Sequence, residues 1–337
     1  LIKEKSGPAT MAPACVVTGL RSLHLGPDDR AAVLPDGDLV TARDIRKGLA
    51  LKVETPAGSA PLPLRPHVAN MFTLVSPDFE QLWLFGYRMN GARWTVAAVQ
   101  QPDVRGNFVI AASENENFVQ RVWAPVSGLI PAVMGEQLVL AVTTSSVDNR
   151  FANLPSGAEL YFPSTRNSRP INVEQGGAIA PAIATTSERI LFTYAMLEDP
   201  WKSGSRYKLR LAVLDSAGER MGDVRTVTES SRPINSDVAF ADRSTAVIFW
   251  VDDAQAKPRL KYAVHDLANA KSSDAPLEAK TAIDESVTGE PPRTTAMSNG
   301  QSVVTWVAVS GGARMIRVAP IGPDGSLLGP TDVARSA

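Results

Sequence analysis

Four arginines hold the most regular chemical signal in the chain. Arg93, Arg206, Arg259 and Arg314 stand in Gly-Ala-Arg, Gly-Ser-Arg, Lys-Pro-Arg and Gly-Ala-Arg contexts. Each opens a run of alternating apolar and basic residues. Arginine grips carboxylates and phosphates with a planar two-pronged fork, so such a set suits an anionic ligand or a docking rim. The alternative is a repeated structural pairing with nearby carboxylates. Two long polar segments lie beside them. Thr143 to Gly157 contains Arg150, and Ala195 to Ser205 carries Trp201 between Pro200 and Lys202. An aromatic in a polar loop is the usual anchor of a binding surface. Asp252 and Asp253 complete the candidate partner-binding face: Arg93, Arg150, Trp201, Lys202, Arg206, Asp252, Asp253, Arg259 and Arg314.

Catalytic patterns are missing. The sequence has no Gly-x-Ser-x-Gly, no phosphate loop and no dinucleotide fingerprint. Glu114, Glu116, Glu198, Asp199, Asp252 and Asp253 are the carboxylates suited to acid–base work on a glycoside, and all read more simply as solvated loop residues. The histidines are His24, His67 and His265, and no two have metal-ligand spacing. Cys15 is the one cysteine, which excludes an internal disulfide and a cysteine-rich zinc site. Asp36-Gly37-Asp38 offers too few oxygens to call for calcium. No cofactor and no metal are expected.

Such residues need a scaffold, and the composition narrows the choice. The 337 residues are 44% hydrophobic and 20% charged, enough for a sizeable core. Thirty-four Lys and Arg face 35 Asp and Glu, a net charge of -1. That balance gives no bulk attraction for nucleic acid. No apolar run reaches membrane-spanning length. No leader is visible, although Ala12-Pro13-Ala14-Cys15 is faintly similar to a lipoprotein cleavage site.

The chain is punctuated throughout by 24 Gly and 25 Pro, with short Val-, Ile-, Leu-, Phe- and Trp-rich runs between them. This pattern predicts an all-β protein. One strand pair recurs at a spacing of roughly 50–60 residues, in the range of propeller repeats. The first members are Leu39–Ala42, Gln81–Phe85, Gln137–Val142, Arg189–Tyr194, Thr245–Val251 and Ser302–Val307. Their partners are Leu49–Glu54, Arg93–Val99, Ala158–Phe162, Arg206–Leu214, Arg259–Val264 and Arg314–Pro320. Shorter runs precede and follow them, such as Ala180–Thr185 and Val224–Thr228. The plan is a β-propeller of six blades with about four antiparallel strands each. Residues 1–21 are expected to be irregular and 22–337 to form one propeller domain. Ser22–Leu25 is a candidate closing strand for the last blade. Tyr194, Trp250 and Trp306 occupy corresponding places and should pack between blades, a sugar platform being the alternative.

The segments Pro181–Tyr194 and Tyr207–Gly218 resemble the repeats of bacterial extracytoplasmic β-propeller proteins. Thr245–Val251 with Arg259–Asp266, and Ser302–Val307 with Arg314–Gly325, repeat the pattern. The resemblance implies a periplasmic, secreted or cell-surface location, and it specifies fold rather than function. Without a catalytic constellation, the expectation is a non-enzymatic binding or scaffold propeller that docks a protein partner on one face. A carbohydrate-binding or glycoside-hydrolysing propeller is the alternative, with a glycan as ligand. A structural subunit of a larger surface assembly is a further one.

Overall fold

A computed structural model describes residues 29–33, 39–45, 48–55, 58–61, 83–87, 95–102, 108–111, 119–122, 126–134, 137–145, 156–162, 170–199, 205–232, 234–252, 257–268, 276–283, 286–296 and 301–335. They form an all-β protein of antiparallel meander sheets, each built from consecutive strands. The first sheet holds β1 (Asp29–Val33), β2 (Leu39–Ile45), β3 (Gly48–Thr55) and β4 (Gly58–Pro61). The second holds β5 (Trp83–Tyr87), β6 (Thr95–Pro102), β7 (Phe108–Ala111) and β8 (Val119–Val122). The third holds β9 (Val126–Met134), β10 (Gln137–Thr144), β11 (Gly157–Tyr161) and β12 (Ile171–Gln175).

The fourth sheet holds β13 (Gly177–Thr185), β14 (Arg189–Leu197), β15 (Tyr207–Asp215) and β16 (Arg225–Ser230). The fifth holds β17 (Ser236–Phe240), β18 (Thr245–Asp252), β19 (Arg259–Asp266) and β20 (Ala279–Thr281). In the sixth, β21 (Ser286–Val287) and β22 (Arg293–Ala296) pair with the same edge of β23 (Ser302–Ser310), followed by β24 (Ala313–Pro320) and β25 (Thr331–Arg335).

The strand pairs expected from the repeat fall on these elements. Two differences matter. In the second sheet, Trp83–Tyr87 is the edge strand rather than the second strand, and Val119–Val122 adds an unforeseen fourth. The short Val-Gln-Arg-Val run has too little apolar alternation to stand out alone. In the sixth sheet, the outermost position is filled by the chain's own β25. Ser22–Leu25, the expected closing strand, lies outside the described residues. So does the irregular segment expected over 1–21, whereas Asp29–Val33 already pairs with β2.

From the third to the sixth, consecutive sheets stack face to face. One core joins the third and fourth sheets through Val139, Leu160, Ile190, Phe192, Tyr194 and Leu214. A second joins the fourth and fifth through Leu191, Leu209, Leu211, Ile248 and Trp250. A third joins the fifth and sixth through Val247, Phe249, Val304, Trp306 and Ile321. A sheet flanked on both sides must be apolar on both faces. In β14 every residue from Ile190 to Met196 is accordingly buried, as is Ala246 to Trp250 in β18. Burying such side chains stabilises by about 1.5–3 kcal/mol each before entropy is counted.

Tyr194, Trp250 and Trp306 are all buried, each against the sheet before it. Register confirms that they correspond. They pair across strands with Arg210, Lys261 and Arg317. Those bases in turn pair with Thr226, Thr281 and Asp332 on the fourth strands. The aromatics therefore pack between sheets, and no sugar platform forms at these positions.

The turn after the third strand latches the fourth and sixth sheets to their predecessors. Asp215 Oδ1 accepts hydrogen bonds from the backbone N–H groups of Ala217 and Glu219, both at 2.9 Å. This turn brings in Gly218 at φ 82°. A Cβ there would lie 2.3 Å from Ile171 Cδ1 of the third sheet. Gly325, at φ 80°, repeats the arrangement, and a Cβ on it would lie 2.7 Å from Val264 Cγ2 of the fifth sheet. Both demands, left-handed backbone and close approach, select glycine. Gly311, at φ 59°, faces open space.

Gly218→Ala and Gly325→Ala should each lower unfolding stability by about 2–4 kcal/mol, against about 1 kcal/mol for Gly311→Ala. Denaturant titration of the three variants checks the ranking.

Candidate functional site

The connections between second and third strands share one end of the stack. The connections after first and third strands share the other. Two contacts fix this common sense. Gly218 docks where β11 ends and β12 begins. At the same end, the Arg189 guanidinium donates to the carbonyl of Arg243 in the next sheet's first turn at 2.9 Å. That end is finished by aspartates that cap their own turns: Asp215, Asp242, Asp266 and Asp324. The opposite end carries the second-to-third-strand connections and the candidate face.

At that end the described side chains pair off within their own sheets. Arg206 Nη1 lies 3.5 Å from Glu229 Oε2. Lys208 Nζ lies 3.0 Å from Glu198 Oε1 and 3.7 Å from Glu229 Oε1. The hydrogen bond to Glu198 raises the Lys208 pKa. Arg314 pairs with Glu290, which sits in the segment that splits the inner strand into β21 and β22. Arg259 opens β19 opposite Asp252, and both are half-buried. These pairs are solvent-exposed, so each contributes little to folding. They hold cations and carboxylates on one rim.

Register qualifies the arginine row. With Arg210, Lys261 and Arg317 aligned, Arg206, Arg259 and Arg314 take three different positions. They share an end of the stack, and they do not share a strand position. Arg93, Arg150, Trp201, Lys202 and Asp253 lie outside the described residues, as do Glu114 and Glu116. Just past β14, the Asp199 backbone N–H donates to Ser205 Oγ at 2.7 Å. Among the described residues, no group of three His, Cys, Asp or Glu side chains is placed to hold a metal ion. No helix among them is long and apolar enough to cross a membrane.

Three polar arrangements escape sequence reading, because each joins residues from different repeats. In the first, Glu174 of β12 accepts from Arg210 twice, at 2.8 and 3.1 Å, and from Tyr194 Oη at 2.7 Å. Burial and the adjacent Glu174 carboxylate push the Tyr194 phenol well above its usual range. This network ties the third sheet to the fourth.

In the second, Thr193 and Ser236 hydroxyls meet at 3.1 Å between the fourth and fifth sheets. In the third, Asp237 on β17 accepts from its neighbour Val238 N–H at 2.9 Å and from Thr294 N–H on β22 at 2.7 Å. Thr294 Oγ1 donates back to the Val238 carbonyl at 2.9 Å. Burial pushes the Asp237 carboxyl up to about 6, against the pull of these donors and of Arg293. His265, buried at the boundary of the fourth and fifth sheets, is held below its ordinary value by burial and then by Arg225.

Two outcomes are expected. Glu174→Ala leaves a buried phenol and a half-buried guanidinium without their acceptor, and should cost about 2–4 kcal/mol. Glu229→Ala on the exposed rim should cost no more than about 1 kcal/mol; paired chemical denaturation separates them. For Asp237, the folded pKa of about 6 lies above the unfolded value of 3.8. The folded state therefore holds a proton that the unfolded chain has lost. Stability from this group falls as pH rises from about 4 to 6 and is flat above, by roughly 3 kcal/mol in all. The difference between the wild type and Asp237→Asn across that window reports it.

No family model matches the chain, and no curated protein matches it. Solved structures do. A thermostable family-43 glycoside hydrolase is similar at TM-score 0.39 and 12% identity, over 71% of this chain and 90% of the other. An exo-1,5-alpha-L-arabinanase from a bovine ruminal metagenomic library gives 0.35 and 11%, over 76% and 99%. Drosophila Semaphorin 1a, extracellular domains 1-2, gives 0.41 and 9%, over 90% and 77%. Scores this low do not establish a common fold.

Proposed function

We propose that the six sheets form a six-bladed β-propeller whose second-to-third-strand end docks a protein partner. The observation that carries this reading is the contrast between the two ends. One end carries aspartate-capped turns that latch neighbouring sheets. The other carries the connections 145–156 and 198–206, the first containing Arg150 and the second Trp201 and Lys202. Loops on a rigid sheet scaffold are where recognition residues collect.

The rim carboxylates favour binding over acid–base catalysis. Glu198, Glu229 and Glu290 each face a Lys or Arg of the same sheet. Such pairs can exchange partners with an incoming charged surface, steering its approach and fixing its register. Arg206, Arg259 and Arg314 contribute cations from three different sheets, and Asp252 contributes an anion. The location we propose is periplasmic, secreted or at the cell surface, on the strength of the repeat resemblance.

A carbohydrate at the same end is the second reading. Trp201 favours it, because an indole face stacks on a sugar ring as readily as it fills a protein pocket. Two of the solved structures above are named as enzymes acting on glycosides, but their likeness is too slight to transfer that activity.

Trp201→Ala and the charge reversal Arg206→Glu should each weaken capture of the native partner about tenfold or more, with the melting temperature nearly unchanged. Asp242→Ala at the opposite end should leave capture intact. Retention on a glycan array, lost in Trp201→Ala, would instead establish the sugar reading. A large fall in melting temperature on Trp201→Ala would place that residue in the core.

A further inference from the structure

The inner strand of the sixth sheet is broken where that of the fifth runs on. β17 faces β18 residue for residue, from Ser236 opposite Trp250 to Phe240 opposite Ala246. On the sixth sheet, β21 ends with Val287 opposite Ala308, and β22 resumes with Arg293 opposite Thr305. Five residues, 288–292, therefore stand against two, Trp306 and Val307. The surplus leaves the ladder: Gly289 faces open space, and Glu290 reaches Arg314 on the rim.

Each side of the break is anchored on the fifth sheet. Val287 N–H donates to the Pro258 carbonyl at 3.0 Å. Thr294 donates its N–H to Asp237 Oδ2 at 2.7 Å and its hydroxyl to the Val238 carbonyl at 2.9 Å. Among the described residues, these two Thr294 bonds are the ones that tie β22 to the fifth sheet. The first anchor joins backbone to backbone, and the second ends on a buried carboxyl. The charged group acting on that carboxyl is Arg293, on β22 itself. The other described elements packed on β17 bring it none. β13 and β23 contain no titratable residue. On β14, Arg189 is engaged with the Arg243 carbonyl and Tyr194 with Glu174. Asp252 of β18 stands on the rim opposite Arg259.

We propose that Asp237 is a proton-operated latch on the sixth sheet's inner strand. With the carboxyl neutral, β22 is held on β17. Loss of the proton favours a local opening in which β22 leaves β17 and residues 288–292 release Glu290 from Arg314. Desolvation drives it. The N–H donors and Arg293 favour the charged form, and burial outweighs them, so the closed state titrates at about 6 against an ordinary 3.8. Once β22 lifts, the carboxyl meets water and returns to its ordinary value. The closed state has the higher value and therefore binds the proton. Its advantage is complete below about pH 4 and is lost as pH rises to about 6. Across that window the opening becomes roughly a hundredfold more frequent. The Pro258 anchor carries no titratable group, so β21 stays in place and the opening is local.

The test is hydrogen exchange of the whole chain from about pH 4 to pH 8, corrected for the intrinsic exchange rate. The amides of 293–296 should lose protection about a hundredfold between pH 4 and 6 and level off above. This loss should be insensitive to low denaturant, whereas the amides of β18 should respond to denaturant as a global opening does. In Asp237→Asn the protection of 293–296 should be flat with pH. Arg293→Gln removes the cation that favours the charged form, and should carry the loss of protection to higher pH. That exposed substitution reads the latch even should Asp237→Asn fail to fold. Protection of 293–296 that ignores pH, or an unchanged pH dependence in Asp237→Asn, would overturn the proposal. Denaturant sensitivity equal to that of β18 would overturn it too, by showing that β22 opens only with the whole fold.

Discussion

A sheet that is apolar on both faces cannot stand alone, and the rest of this molecule follows from that constraint. The middle strands β14 and β18 bury every residue over their central stretches. Each can do so only between two other sheets. The stack is therefore the unit of stability, not the sheet. An isolated four-stranded meander from its middle would expose two hydrophobic faces and gain no compensating core.

Polar groups then decide how neighbouring sheets align. Dispersion and hydrophobic burial set no register by themselves. The Glu174–Tyr194–Arg210 network, the Thr193–Ser236 contact and the Asp237–Thr294 bond each join one sheet to the next. Ser302 Oγ adds another by donating to the Phe240 carbonyl at 2.8 Å. All are buried or part-buried, where a misaligned partner leaves a costly unsatisfied group. The turns at Gly218 and Gly325 act in the same direction sterically. The rim charges collect at the opposite end.

The sequence made the strand plan legible because apolar period and turn chemistry are local. Thr245–Val251 and Ser302–Val307 were readable as strands that pair with a following one. Tyr194, Trp250 and Trp306 could be placed in correspondence from spacing alone, and register bears this out. What spacing could not show was partnership across repeats. Nothing near Glu174 in the chain announces Arg210, and Asp237 looks like any polar strand residue. The split of the inner strand into β21 and β22 was hidden by its brevity. The arginines illustrate the boundary: the strand positions of Arg206, Arg259 and Arg314 depend on hairpin lengths that differ between sheets.

Hydrogen exchange of the intact chain, read sheet by sheet, tests the dependence on two-sided cover most directly. If every sheet is held by neighbours on both faces, the amides of β23 and β24 should exchange with the same protection as those of β14 and β18, through a shared global opening. Independent, faster exchange of β23 and β24 while β14 and β18 stay protected would contradict the account, showing a sixth sheet that frays from an open stack.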